Sequence, residues 1–239
     1  MKELNIHDRF FLKPEDIEAD TFKFSGGEIR HLKVKRLKRG TRLQGLDGNG
    51  GEYLGEILSF DDKEVSCRIL EFHKHLPPKR KILLGMSVIK ASALAAACEK
   101  AAELGAGEIH LINSAHSERE PNPTEIERLN RITLAAMKQS GRFFWCKVFP
   151  PMELTNIIQR FRKECAIIAC QQQGDSIFDM KFEADILLLV GPEGGFSGEE
   201  LMLMSRAGTR RIKLGNFRMQ SETAAAMAAG IMALLIESD

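Results

Sequence analysis

Apolar and polar positions along the chain fall into two textures. Before Leu76 the apolar residues come in short clusters: Arg9-Phe10-Phe11, Thr21-Phe22-Lys23-Phe24, Arg42 to Leu46, Glu52 to Leu58 and Val65 to Ile69. Turn signals separate them, among them Asp47-Gly48-Asn49-Gly50-Gly51 and Asp61-Asp62-Lys63. Short strands so closely spaced predict a small barrel or sandwich. Leu76-Pro77-Pro78-Lys79 interrupts the pattern and reads as a linker. The expected division is a β domain over 1–76 and a second domain over 77–239.

From Lys81 onward, strand-like runs alternate with helical ones. The strand candidates are Ile82 to Met86, Ile109 to Ile112, Cys165 to Ala169, Ile186 to Val190 and Arg211 to Leu214. Ala91 to Leu104 is helical by propensity and stops at Gly105, a residue suited to the position after a helix. Asn122-Pro123-Thr124-Glu125 supplies a cap, a first-turn proline and a Glu three residues on, opening a helix to about Ser140. Ser197-Gly198-Glu199-Glu200 is a second capping box, with a helix ending before Gly208. Alternation of this kind predicts a parallel sheet covered by helices, and pattern alone would make it Rossmann-like.

Composition narrows the class only a little. Of the 239 residues, 44% are hydrophobic and 28% charged, which fits a globular chain rather than a disordered one. The net charge of +1 neither demands nor excludes a nucleic acid partner. Local charge says more. Arg30, Lys33, Lys35, Arg36, Lys38, Arg39 and Arg42 follow one another without an acidic residue, which suits either a solvated face or contact with a phosphate backbone. The five cysteines form no CxxC pair, and His31, His110 and His116 are scattered, so no metal site is expected. Odd cysteine usage behind a charged start, Met1-Lys2-Glu3, points to reduced thiols and a cytoplasmic location. Ala224 to Ile236, the longest weakly polar stretch, falls short of the roughly 20 residues that span a bilayer.

Two loops concentrate the candidate chemistry. Gly191-Pro192-Glu193-Gly194-Gly195 follows the apolar run Ile186 to Val190, and Leu214-Gly215 to Ser221-Glu222-Thr223-Ala224 follows Arg211 to Leu214. In open α/β sheets ligands bind where such loops meet at the carboxyl ends of strands. Closely spaced glycines admit a ligand to the backbone, yet neither GxGxxG nor GxxxxGK[ST] is present. Glu193, Glu199 and Glu200 make the neighbourhood acidic, favouring a ligand with ribose hydroxyls, an adenine edge or a positive centre. A tight strand-to-helix turn without ligand has the same spacing. Likewise Ser221 and Glu222 have a purely structural reading, as cap and first-turn acid of the Ala-rich helix. Met137 to Trp145 gathers Lys138, Arg142 and three aromatics, either to grip a phosphate and a base or to end a helix against the core. No GxSxG nucleophile motif occurs.

Together these segments resemble the ribosomal RNA uridine N3-methyltransferase family of RsmE type, in the SPOUT superfamily. Leu187 to Glu200 and Lys213 to Ala226 match its paired signature loops. Glu99 to Gly105, Ser117-Glu118-Arg119 and Ala136 to Arg142 match further elements, while Arg9-Phe10-Phe11 and His31 to Arg36 suit its PUA-like RNA-binding domain. The resemblance implies a trefoil-knotted C-terminal parallel-sheet domain after a small PUA-like β barrel, and a homodimer. It implies S-adenosylmethionine bound by Val190, Gly191, Glu193, Gly194, Gly195, Leu214, Gly215, Met219, Gln220, Ser221 and Thr223. Contacts to ribosomal RNA or the small subunit would come from Arg9, His31, Lys35, Arg36, Lys90, Arg119, Arg142 and Arg218. The target would be N3 of a uridine in small-subunit (16S) RNA. Because N3 must lose a proton, Glu222, Gln139 and Arg142 are the candidate catalytic groups. Phe217 and Gln220 stand where the family pattern carries arginine. That departure keeps open a catalytically weakened paralogue that binds RNA or assists ribosome assembly.

Overall fold

The computed structural model describes residues 9–117 and 119–237. The charged start of the chain and Glu118 of the Ser117-Glu118-Arg119 match lie outside them. Contacts divide the chain into two units. One extends to Pro77 and includes Met137–Trp145, and the other holds Pro78–Ala136 and everything from Cys146 onward.

In the first unit, β1 (Arg9–Phe11), β2 (Thr21–Ser25), β3 (Arg42–Leu46), β4 (Gly51–Phe60) and β5 (Glu64–Lys74) form one sheet in the order β1-β3-β4-β5-β2. β1 pairs in parallel with β3, and the other pairs are antiparallel. β4 shifts register against β5 at Leu54/Gly55 and Ile57/Ser59, irregularities that bend a strand and let a small sheet curl around its core. Phe10, Leu12, Phe22, Phe24, Leu43, Ile57 and Val65 fill that core. At Gly55 a Cβ would lie 2.3 Å from the Phe22 ring, so the backbone approaches the core too closely for a side chain.

The basic run is helical where it begins: α1 covers Gly27–Val34 and buries Ile29 and Leu32. Three apolar positions in eight residues, with Val34 exposed, left no readable period there. Arg36 follows with φ of 53°, the one non-glycine among the described residues in the left-handed region. It closes the helix where glycine is usual, with its N–H donating to the Lys33 carbonyl at 2.9 Å.

The second unit is a six-stranded parallel sheet, ordered β11-β9-β10-β6-β7-β8. Its strands are β6 (Ile82–Ser87), β7 (Glu108–Asn113), β8 (Lys147–Glu153), β9 (Cys165–Ser176), β10 (Asp185–Val190) and β11 (Arg210–Lys213). The helices are α2 (Ala91–Glu103), α3 (Pro123–Ser140, whose last turn belongs to the first unit), α4 (Leu154–Phe161), α5 (Gly198–Arg206) and α6 (Ser221–Glu237). β10 shows how the sheet is covered. Ile186, Leu188 and Val190 join one cluster with Leu94 and Ala101 of α2 and Ala225 and Met232 of α6, while Leu187 and Leu189 join another with Ile157 of α4 and Met204 of α5. A strand buried on both faces reads as an unbroken apolar run, as this one does. After edge strand β11 the chain returns through α6 to pack on α2, β6 and β10. The overall class, a PUA-like β unit followed by a parallel-sheet α/β unit, is the one expected.

Two elements of this unit escaped the sequence pattern. β8 carries Pro150-Pro151, and proline removes ladder donors, which an edge strand tolerates. α4 has no side-chain cap, yet Leu154, Ile157, Ile158 and Phe161 form one buried stripe. Among the described residues no helix is long and apolar enough to cross a membrane. All five cysteines are free thiols.

A buried histidine paired with a half-buried carboxylate gives the unit an acid-sensitive point. His110 is fully buried on β7, its ring stacked 4.6 Å from Phe149, and its Nε2 donates to Glu108 at 2.9 Å. That hydrogen bond holds the Glu108 carboxyl below its ordinary value of 4.5. A depressed carboxylate adds stability that is full above its unfolded value and is lost as pH falls through the folded one. Glu108→Gln should therefore lower the melting midpoint near neutral pH. The gap to the parent protein should narrow on acidification, as midpoints measured across pH will show.

Candidate active site

A cleft of about 320 Å³ opens at the carboxyl ends of β10 and β11 and beside the middle of β9. Val190 ends β10 and the Gly191–Phe196 turn leaves it, with Pro192 O accepting from Gly195 N at 2.8 Å. Gly195 has φ of +73°, which the tight turn before α5 requires and L side chains rarely adopt. α5 then starts on the capping box the sequence encodes: Ser197 Oγ accepts from Glu200 N at 3.2 Å, and Glu200 Oε2 accepts from Ser197 N at 2.7 Å.

The turn is fixed from two further sides. His116 Nδ1 lies 2.9 Å from the Gly195 carbonyl, and because a carbonyl only accepts, Nδ1 carries the proton. Glu200 Oε1 accepts from Ala115 N at 2.9 Å, so one carboxylate caps a helix and also holds the 114–117 segment. Across the cleft, the Arg218 guanidinium donates to the Glu193 carbonyl and ties the second loop to the first.

Of the expected cofactor residues, Val190, Gly191, Glu193, Gly194, Gly195, Leu214, Gly215, Met219 and Ser221 line this cleft. Gln220 and Thr223 do not; both are exposed. α6 already includes Ser221, and Ala224 N donates to the Gln220 carbonyl, which puts Gln220 rather than Ser221 at the capping position. Glu222 lies in the first turn of α6 and does not itself line the cleft; its Oε2 is buried with no hydrogen-bond partner among the described residues.

Pattern reading missed the third wall. Cys170, Gln171 and Gln172 line the cleft because β9 shifts register against β11, from Ala169 opposite Arg211 to Asp175 opposite Ile212. The residues between leave the ladder and border the ligand space, as bulges beside functional sites do. Burial pushes the Cys170 thiol up to about 12, so it faces the cleft uncharged. Phe196, Leu201, Phe217 and Ala224 add apolar surface.

The remaining candidates are elsewhere. Gln139 and Arg142 belong to the segment counted with the first unit and do not line the cleft. Within that unit Arg9 donates to Gln44 Oε1 at 3.1 Å and to the Lys138 carbonyl at 3.4 Å, and a Cβ on Gly141 would touch its guanidinium at 3.0 Å. His31 packs against Phe10, while Lys35 and Arg36 are exposed. Lys90 is exposed at the start of α2. Arg119 is engaged internally: it grips Glu125 with two bonds of 2.6 and 2.7 Å and donates to the Ile89 carbonyl at 2.9 Å. Among the described residues no three His, Cys, Asp or Glu side chains gather as a metal site would need.

Comparison with known proteins agrees with this architecture. Residues 76–233 match the family model of the RNA methyltransferase domain, and residues 24–70 match that of the RNA methyltransferase PUA domain. The domains are thus those of an RNA methyltransferase with a PUA domain before it. Ribosomal RNA small subunit methyltransferase E of Rickettsia conorii is 32% identical over 223 residues, covering 88% of each chain. The protein of that name from Aquifex aeolicus is 29% identical over 202 residues, 83% of this chain and 87% of its own. The crystal structure of ribosomal RNA small subunit methyltransferase E from Neisseria gonorrhoeae, bound to S-adenosyl methionine, shares the fold with a TM-score of 0.88 at 23% identity, over 95% of this chain and 97% of that one. The chain belongs to the ribosomal RNA small subunit methyltransferase E family.

Proposed function

We propose that the protein transfers a methyl group from S-adenosylmethionine to N3 of a uridine in small-subunit (16S) ribosomal RNA. The observation that carries this reading is the cleft itself, where two glycine-containing loops and a bulged strand close on a space with both apolar and polar walls. The residues present suit that cofactor. Gly195, where a Cβ would meet nothing within 4 Å, leaves backbone open to a ligand, Leu214, Met219 and Ala224 offer apolar surface to a flat ring, and Gln171 and Ser221 offer hydrogen bonds. Arg218, held by the Glu193 carbonyl, is the one cationic side chain among the described residues lining the cleft, beside Glu193 and an uncharged Cys170. When bound there, the cofactor supplies an electrophilic methyl group.

The chain's own work is to orient the base, exclude water and take up the N3 proton. We assign the last role to Glu222, which does not line the cleft itself but lies in sequence between Ser221 and Ala224, which do, and whose Oε2 has no hydrogen-bond partner among the described residues. Gln139 and Arg142 receive no role in this assignment. A catalytically weakened paralogue is the weaker reading, since Gln220, one of the two residues that suggest it, does not line the cleft. The proposal also includes the division into PUA-like and methyltransferase domains near residue 76, a cytoplasmic location, and a homodimer.

Small ribosomal subunits from cells lacking the modification, incubated with the protein and methyl-labelled cofactor, test this reading. Label in small-subunit RNA is the expected result. Unlabelled RNA beside a protein that binds the cofactor would favour the weakened paralogue, and tight binding of NAD or ATP in its place would sink the reading of the cleft.

A further inference from the structure

Phe217 is 85% exposed, more than any other large apolar side chain described in the second unit, and it is at the rim of the cleft. It has no aromatic partner among the described residues, so packing does not account for a ring in this position. Nor is the turn that carries it free to drift, because the next residue, Arg218, is bonded to the Glu193 carbonyl of the opposite loop. β9 and β11 run side by side with Ser176 opposite Lys213. A second exposed ring, Phe178, therefore follows the end of β9 as Phe217 follows the end of β11. Lys213 and Arg218 bring positive charge to the same loop.

Aromatic rings presented to solvent beside cationic groups are the means by which proteins hold unpaired bases, since every base has a face to stack. We propose that Phe217 is the platform on which an unpaired base of the RNA substrate stacks at the mouth of the cleft. This rests on the cleft being the methyl-transfer site. Arg218, one residue on, supplies positive charge beside the ring.

The test is steady-state methyl transfer with Phe217 variants. Phe217→Ala should raise KM for small subunits by about ten-fold and leave KM for S-adenosylmethionine within about two-fold. Phe217→Tyr and Phe217→Trp should stay close to the parent protein, whereas Phe217→Leu should behave like the alanine variant. All four should melt with the parent, because the ring is exposed. Unchanged subunit KM in Phe217→Ala, full function in Phe217→Leu, or a shift confined to the cofactor KM would overturn the proposal. So would dissociation of a dimer on sedimentation of Phe217→Ala, which would assign the ring to a subunit interface. If the parent protein methylates no subunit, the methyl-transfer reading fails by itself. Fluorescence of a short single-stranded RNA carrying 2-aminopurine then decides the stacking separately. Quenching by the parent and not by Phe217→Ala supports it, and equal quenching by both overturns it.

Discussion

Gly195→Val is expected to lower affinity for S-adenosylmethionine at least about ten-fold, because a β-branched residue in the left-handed region is strained by roughly 1–2 kcal/mol and the turn must relax elsewhere. The cause is the backbone and not a clash, since a Cβ on Gly195 would meet nothing within 4 Å. Relaxation displaces the Gly195 carbonyl from His116 and the neighbouring backbone from the cleft. Equilibrium dialysis with labelled cofactor measures the loss, and methyl transfer should fall with it. The melting midpoint should fall by only a few degrees, in keeping with that strain. Undiminished affinity would mean that this turn does not cradle the cofactor.

Leu188→Ala should have the opposite profile, with a large loss of stability and no specific effect on ligand. Leu188 is fully buried in the middle of β10, level with Ile168 of β9 and Leu84 of β6. Deleting a leucine side chain from such a place costs about 2–5 kcal/mol through lost transfer energy and the cavity left behind. For a chain of this size that lowers the melting midpoint by about 5–15 °C. Leu76→Ala, at an exposed position, should change stability by less than about 0.5 kcal/mol. Calorimetry or thermal denaturation compares the two, and a tolerant Leu188 would mean that the sheet is not packed on both faces.

Sequence pattern carried much of this fold where local chemistry and tertiary packing agree. Ser197 and Glu200 form the capping box their spacing encodes, Glu125 N donates to Asn122 Oδ1 at 2.9 Å, and Gly105 ends α2 with φ of +116°. Runs such as Ile186 to Val190 are long enough to specify a buried strand unaided. Legibility failed where an element depends on its neighbours. α4 is four apolar residues that become a stripe only against the sheet, and β8 is a proline-bearing strand tolerated at an edge. The bulge that brings Cys170 to Gln172 to the cleft is a property of strand pairing, and a single sequence carries no mark of it.

The candidate site shows the same division. Glycine spacing located the two loops, and nine of the lining residues follow from the resemblance: Val190, Gly191, Glu193, Gly194, Gly195, Leu214, Gly215, Met219 and Ser221. Side-chain commitments were invisible. Arg119 is neutralised by Glu125, and Arg9 is held by Gln44 and the Lys138 carbonyl, though each reads in sequence as an available cation. Gln220 and Thr223 sit in the right segment, but neither lines the cleft.

The most direct test of the central claim is the identity of the methylated nucleoside. Small-subunit RNA methylated by the protein is digested to nucleosides, and the labelled product is identified by chromatography and mass spectrometry. The account predicts 3-methyluridine as the labelled product, reduced sharply in Gly195→Val. Label on another base, or on a ribose, would contradict it.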